Sequence, residues 1–376
     1  MKSLHVSDLL DSGGAEAVFR DTVRAAQELN HDTRVMVSDG RRSAISYVWS
    51  VRWYRRMQRV LKAFQPDVIH VQNYYRFLSP SVLLAIRKYK SRRPHVRVIF
   101  TAHDYHVVCP NSGLQHFPHG ERSDFPQTGP TMPLFARFDE RSVMHGMLKS
   151  LQHIIAYRVL KLRSVFDVLI SPSETLAGVF RAYGVGDRIV IVRNPVDSFV
   201  PMPSRETDGD LVYMGRVAPE KGLVPFVEML ENASIGVAVD VYGTGVDVAR
   251  LENAASNLHH VRLRMHHPVP RSELPAVLSK FRALIYPSAW VENAPIVVVE
   301  AISAGLPCVV PDGGGAAEMA AQGIATYQYA ANDSSAAVTA VREALGEAKA
   351  NQLRDGTVFT FGAYKRRLAQ IYTNVA

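Results

Sequence analysis

Only two cysteines occur in the 376 residues, Cys109 and Cys308, and neither belongs to a C-x-x-C pair. A disulfide-stapled or structural-zinc scaffold is excluded on that ground. No run approaches ~20 uninterrupted apolar residues, so no transmembrane helix is expected. The opening stretch, MKSLHVSDLLDSGG, meets aspartate and glycine before an apolar core builds up. It does not read as a secretory signal, and a cytoplasmic setting is expected, with any membrane contact peripheral. Repeats at solenoid periods are absent. So is the spaced G-x-G-x-x-G, because Gly13-Gly14 and Gly243-Thr244-Gly245 each lack the third glycine. Two histidine groups lack zinc spacing: His259, His260, His266 and His267, and His103, His106, His116 and His119 with Cys109. Asp208-Gly209-Asp210 matches a metal-binding D-x-D pattern, but it falls in a polar linker and reads as chance. No metal or other cofactor is expected.

What the chain does have is alternation. Short β-branched runs and helical segments follow one another from end to end, the pattern of parallel sheets with crossover helices. The length suits two domains of roughly 180 residues. The expected class is therefore α/β, with two Rossmann-like doubly wound domains. In the first, strands are expected at 4–7, 34–37, 68–72, 97–101, 168–171 and 189–192, with helices at 15–29, 51–64, 80–89, 151–164 and 174–183. The pattern breaks over 104–149, rich in Pro, Gly and His, which reads as a functional loop region over a site. A polar segment ending at Asp210 reads as the linker. A second series follows, with strands at 211–214, 236–241, 261–265, 283–286 and 308–310. The boundaries are 1–197, 198–358 and a terminal helical segment 359–376. Two such domains are expected to face one another across a cleft at the carboxyl ends of their sheets.

Charge is uneven. The first 200 residues hold 28 Lys and Arg against 17 Asp and Glu, and the remainder 15 against 18. The excess gathers in Arg52, Arg55, Arg56, Arg59 and Lys62, with Trp49, Trp53 and Tyr54 interleaved, and again over Arg87–Arg97. Such a helix fits an anionic membrane surface. The same charges would attract nucleic acid or form a plain solvated face. The membrane reading is preferred and no nucleic acid is expected.

Chemistry concentrates in the second half. In YPSAWVENAPIVVVEAISAG, Glu292 sits in a small-residue loop after a strand, and Glu300 sits inside the apolar helix that the loop feeds. A buried carboxylate needs a hydrogen-bonding partner, and a ribose diol would serve Glu300. Pro295 marks the expected helix start. Met214-Gly215-Arg216 followed by Pro219-Glu220-Lys221-Gly222 brings two cations to a helix N-terminus, a clamp suited to a pyrophosphate. Glycines at Gly14, Gly243 and Gly313-Gly314-Gly315 would let backbone amides approach an anion or sugar. His103 follows the strand 98–101 at its ligand-facing end.

Together these motifs make the chain resemble a retaining GT-B glycosyltransferase of family 4, the group that includes bacterial polysaccharide and glycolipid transferases. The resemblance runs through GGAE, DVIHVQN (Asp67 to Asn73), TAHD (Thr101 to Asp104), SPSE (Ser171 to Glu174), RNPVD (Arg193 to Asp197), GRVAPEKG ending at Gly222, and E-x7-E. It implies a hexosyl transfer from a UDP- or GDP-sugar to a glycan or lipid-linked glycan acceptor, without a metal and with retention at the anomeric carbon. By the same resemblance, Arg216 and Lys221 hold the diphosphate, with an amide of Gly14. Glu300 binds the ribose, while Glu292 and the amides of Asn293 and Ala294 bind the donor sugar. His103 stabilises charge near the reacting carbon, Gly243 belongs to the nucleotide site, and the terminal helix returns to the first domain. Asn293-Ala294-Pro295 departs from the family's aromatic-glycine pattern and leaves the hexose open. Two other readings stand beside this one: a nucleotide-sugar epimerase or hydrolase of the same fold, and a silent partner of another transferase.

Overall fold

The computed structural model describes residues 1–376 except 11–12, 125–135, 186–187, 197–208, 332, 347–353 and 374–376. Most of the expected linker, the boundary at 197/198, Asp208 and part of the 104–149 segment lie outside the described residues. The chain divides into two units, Met1–Pro195 with Phe361–Ala376, and Val196–Thr360.

In the first unit, six strands form one parallel sheet: β1 (Lys2–Ser7), β2 (Asp32–Val37), β3 (Val68–Val71), β4 (Arg97–Thr101), β7 (Val168–Ser171) and β8 (Ile189–Ile191). Their order is β2-β1-β3-β4-β7-β8, with a short hairpin of β5 (Gln115–His116) and β6 (Ser123–Asp124) apart from it. The helices are α1 (Gly14–Glu28), α2 (Ala44–Val48), α3 (Val51–Phe64), α4 (Ser81–Lys90), α5 (Val143–His153) and α6 (Glu174–Ala182). The direction of strand order reverses between β1 and β3. Asp8, just past β1, accepts from the backbone amides of Arg76, Phe77 and Leu78 at 2.8, 3.0 and 2.9 Å and ties the two loops across that point.

Helix α3 shows why its sequence is helical and which way it faces. The Ser50 hydroxyl caps it by accepting from Trp53 N. Trp53, Met57, Leu61 and Phe64 recur at helical spacing and are buried, and Gln65 ends it in the left-handed region ahead of Pro66. The expected membrane-facing tryptophan is therefore a core residue. Trp53 is 2% exposed, and the guanidiniums of Arg52 and Arg56 lie 5.0 and 5.4 Å from its ring. The interleaving of Trp and Arg reflects the inner and outer faces of one amphipathic helix.

The second unit holds β9 (Gly209–Met214), β10 (Val237–Tyr242), β11 (Val261–His266), β12 (Phe281–Ile285), β13 (Cys308–Pro311) and β14 (Thr326–Tyr329), all parallel, in the order β11-β10-β9-β12-β13-β14. That is the doubly wound order in which the first and fourth strands of the unit are neighbours, and ligands bind beyond the carboxyl ends at that switch point. Its helices are α7 (Leu223–Asn232), α8 (Val248–Ala255), α9 (Leu274–Leu278), α10 (Ile296–Ser303), α11 (Gly314–Ala320) and α12 (Ser334–Gly346). Leu211 and Tyr213 of β9 pack in one core cluster, and Val212 and Met214 in another. A strand buried on both faces reads as a continuous apolar run, which is how these strands were legible.

Several boundaries moved. Gly209 and Asp210 belong to β9 rather than the linker, and the Asp210 carboxylate accepts from Ala238 N at 2.8 Å. The expected helix 151–164 begins earlier, as α5, and runs into a π turn at Ile154–Val159 and a 3-10 turn at Leu162–Val165. β14 and α12 were not anticipated. The last helix, α13 (Phe361–Thr373), buries Tyr364, Leu368, Ile371 and Tyr372 within the first unit.

Candidate active site

At the carboxyl edge of the second sheet, loops from β9 and β12 flank the switch point. The β9 loop passes Gly215 and Arg216, makes a 3-10 turn at Pro219–Lys221, and enters α7 through Gly222. Gly222 has φ 66°, and a Cβ there would lie 2.2 Å from the Pro287 carbonyl oxygen, so the turn requires glycine twice over. Ala289 N donates to the Glu220 carbonyl at 3.0 Å, fastening the β9 loop to the β12 loop.

That contact brings Lys221 to Glu292. Lys221 Nζ lies 2.5 Å from Glu292 Oε1, with side chains 14% and 10% exposed. Ser288 Oγ and Trp290 Nε1 donate to the same oxygen at 2.7 and 2.5 Å. Lys221 also donates to Tyr286 OH at 3.3 Å and lies over the rings of Tyr286 and Trp290. Burial, and then the neighbouring Glu292 carboxylate, push the Tyr286 phenol well above its ordinary range, so it stays a neutral hydrogen-bonding group. On the same loop Arg216 Nη2 pairs with Glu220 Oε1 at 2.5 Å, and Arg216 remains 57% exposed. The sequence pointed to a clamp of two cations; the structure gives each a carboxylate partner. Neither α7 nor α10 carries a side-chain cap, so their leading N–H groups face the loops uncapped.

Behind Glu292 the chain is pinned by α11. Gly315 N donates to the Glu292 carbonyl at 2.7 Å, and a Cβ on Gly315 would stand 1.7 Å from the Asn293 oxygen. Asn293 and Ala294 are half-buried in this loop, and Pro295 is the N-cap of α10 rather than its first residue. Glu300 is buried in α10, where Arg271 Nε donates to its Oε1 at 3.0 Å. Gly243 lies against the Gly215 carbonyl, joining the β10 loop to the β9 loop.

The other candidates are in the first unit. Gly14 is the first residue of α1. His103 stands just beyond β4, half-buried, with Nε2 2.7 Å from Gln72 Oε1. Burial lowers its pKa to about 4, so the ring is neutral at neutral pH. Asp104 next to it takes the Tyr75 hydroxyl and the amide of His106.

The structure thus brings Lys221 and Glu292 into contact and places Arg216 and Glu300 on neighbouring segments with partners of their own. Sequence reasoning missed Tyr286, Ser288, Trp290, Arg271, Glu220 and Gln72. A signal existed for one group: Ser288, Trp290 and Glu292 alternate, and an extended loop puts alternate side chains on one side. Arg271 lies 29 positions from Glu300 with no local pattern linking them.

Comparison with known proteins bears on what this arrangement serves. The profile for "Glycosyl transferases group 1" matches residues 198–356, and "Glycosyltransferase Family 4" matches 12–198. Glycogen synthase of Mycobacterium tuberculosis is 25% identical over 273 residues, covering 70% of this chain; the match spans 63% of that relative's length. Among solved structures, Anabaena Alr3699/HepE in complex with UDP and glucose superposes over 100% of both chains with a TM-score of 0.63 at 15% identity. The lipopolysaccharide outer core galactosyltransferase WaaB covers 100% of both at 0.65 and 16%. Sucrose-phosphate synthase from Thermosynechococcus elongatus reaches 0.67 at 13%, covering 100% of this chain and 99% of that one. These similarities establish the GT-B fold, and the two matched profiles together take in most of the sequence. The chain belongs to the group 1 glycosyltransferases.

Proposed function

We propose that the protein transfers a hexosyl unit from a nucleoside diphosphate sugar to a glycan or lipid-linked glycan, with retention at the anomeric carbon and without a metal ion. The observation that carries this reading is the Lys221–Glu292 pair across the switch point, with Arg216 beside it. An ammonium has three N–H donors. Lys221 commits two of them, to Glu292 and Tyr286, and the third fits a phosphate oxygen. Arg216 supplies a second cation, and the uncapped N-terminus of α7 adds a partial positive charge where negative charge grows as the diphosphate leaves. Glu292 receives its three donors on Oε1, so Oε2 is suited to a sugar hydroxyl.

In the reaction, the bond between the anomeric carbon and the diphosphate oxygen breaks as the acceptor oxygen attacks from the same face. The acceptor proton passes to the departing phosphate oxygen. His103, as a neutral imidazole, has a role in stabilising the reacting sugar. UDP-sugars lead the candidate donors because the HepE structure holds UDP, with GDP-sugars as the alternative. The test incubates the protein with UDP- and GDP-hexoses and lipid-linked acceptors, reading the product anomer by NMR. Acceptor-dependent release of nucleotide with a retained anomer is expected. Nucleotide release indifferent to acceptor, or an inverted product, removes the reading.

A lipid-linked acceptor calls for contact with a membrane, and the first unit carries a suitable surface. No described helix is long and apolar enough to cross a bilayer. Helix α5, however, turns Met144 and Met147 outward at 72% and 66% exposure, with Val143 and Leu151 also exposed, and Ile45 of the neighbouring α2 is 83% exposed. Arg42 stacks over Tyr47, whose carbonyl accepts from Gln152 of α5, and Arg41, Arg141 and Arg158 are exposed. Apolar side chains ringed by cations match an anionic bilayer surface. Flotation with anionic vesicles should recover the protein, and the Met144→Glu, Met147→Glu double variant should reduce recovery at least fivefold. Equal recovery of both proteins excludes this face.

A further inference from the structure

Beneath His103 runs a hydrogen-bond chain that begins on the last helix. Thr22 of α1 donates its hydroxyl proton to the Val18 carbonyl at 2.7 Å, the bond a threonine makes back along its own helix. Its oxygen has two lone pairs left. One is 2.7 Å from the Tyr364 hydroxyl of α13 and the other is 2.8 Å from Gln72 Nε2. With its single proton already given, the Thr22 oxygen can only accept from both. All three bonds lie in the interior, where Thr22 is 0%, Gln72 1% and Tyr364 2% exposed.

The bond from Thr22 to Val18 favours one direction of the Gln72 amide. Turned over, its carbonyl oxygen would meet the Thr22 oxygen, and the Thr22 proton could reach it only by leaving the Val18 carbonyl. The amide nitrogen faces Thr22 and Oε1 faces His103, and a carbonyl oxygen only accepts. His103 therefore carries its proton on Nε2, donated to Gln72 at 2.7 Å. On a neutral ring the other nitrogen, Nδ1, then holds a lone pair.

We propose that Gln72 is a positioning residue for His103, locking it as the Nε2–H tautomer with an Nδ1 acceptor, and that Thr22 and Tyr364 are the far end of this lock. The consequence is chemical. A ring held this way offers a hydrogen-bond acceptor and partial negative charge from Nδ1 and cannot donate from that side. It accepts a hydrogen bond from a sugar or acceptor hydroxyl and stabilises positive charge building at a nearby carbon. The opposite tautomer would present a donor and repel such charge. The terminal helix thereby contributes to the active machinery through a hydroxyl as well as through packing.

The inference rests on the reading that His103 takes part in transfer, and two measurements keep the two separable. In the full-length protein labelled with 15N-histidine, the His103 ring at neutral pH should show a protonated Nε2 and an unprotonated Nδ1. A proton on Nδ1 overturns the lock, whatever the kinetics. Gln72→Leu should lower kcat at least tenfold with the donor KM within twofold of wild type, and its His103 signals should become a mixture of tautomers. Tyr364→Phe should move kcat less, within about threefold, in the same direction. If Gln72→Leu does not fold, Gln72→Glu serves: its carboxylate accepts from Nε2 and should keep the tautomer while moving Thr22 off its bond. Wild-type kcat together with an unchanged tautomer in a folded Gln72→Leu overturns the proposal. Wild-type kcat in His103→Ala instead removes the transfer role and leaves the tautomer measurement standing.

Discussion

Lys221→Ala is expected to lower kcat/KM by about a thousandfold and also to destabilise the second unit by about 2 kcal/mol, whereas Arg216→Ala lowers turnover by about a hundredfold with stability unchanged within about 0.5 kcal/mol. The two cations look alike in sequence, each placed by the turn into α7. The structure separates them. Lys221 lies over the rings of Tyr286 and Trp290 and pairs with a largely buried carboxylate. Removing it leaves the Glu292 side chain without its cation in a poorly hydrated place, where breaking one side of a pair typically costs 3–5 kcal/mol. Ser288 and Trp290 still donate to the carboxylate, which is why the expected loss is smaller. Arg216 pairs with Glu220 at a site open to solvent, and such pairs contribute little. Melting curves beside steady-state kinetics for both variants check this. A Lys221→Ala protein that melts like wild type would mean that the pair does not hold the loops, and near-normal turnover in it would remove the phosphate role.

The contrast marks what is legible in a sequence. The sheets were readable because strands buried on both faces leave unbroken apolar runs, as in Val98–Thr101 and Leu211–Met214. β14 was not, since Thr-Tyr-Gln-Tyr is short and only its last residue is buried. Helix α5 was hidden for the opposite reason. Its exposed residues include Val143, Met144 and Met147, so no polar face marks its helical period. Trp53 was misassigned although the spacing of Trp53, Met57, Leu61 and Phe64 marks the buried face, with the arginines between them on the outer one. In the site, the local motifs around Lys221 and Glu292 could be read, but their contact could not. It depends on neighbouring strands β9 and β12, which are far apart in the chain, and on Gly222 letting one loop press against the other. The His103 lock is more remote still, joining residues from α1, from just past β3 and β4, and from α13.

Glu300 was expected to take a ribose diol because a buried carboxylate needs a hydrogen-bonding partner, and Arg271 supplies one. The two roles are separable. Arg271→Leu should destabilise the second unit by about 3 kcal/mol, because it leaves a carboxylate among Val298, Val299, Ala301 and Ile302 with its guanidinium partner gone. Glu300→Leu combined with Arg271→Leu should recover most of that loss, since an apolar pair of similar volume commonly replaces a buried ion pair without penalty. If Glu300 also binds the nucleotide ribose, the recovered protein should still show a donor KM raised at least tenfold, because a lost charged hydrogen bond to a hydroxyl is worth about 1.5–3 kcal/mol. Nucleotide titration by calorimetry on the double variant reads this directly. Recovery of both stability and donor affinity would make Glu300 a structural residue with no part in donor binding. Recovery of stability with affinity still lost would give the carboxylate two tasks, with Arg271 holding Oε1 in place for the ribose it is proposed to receive.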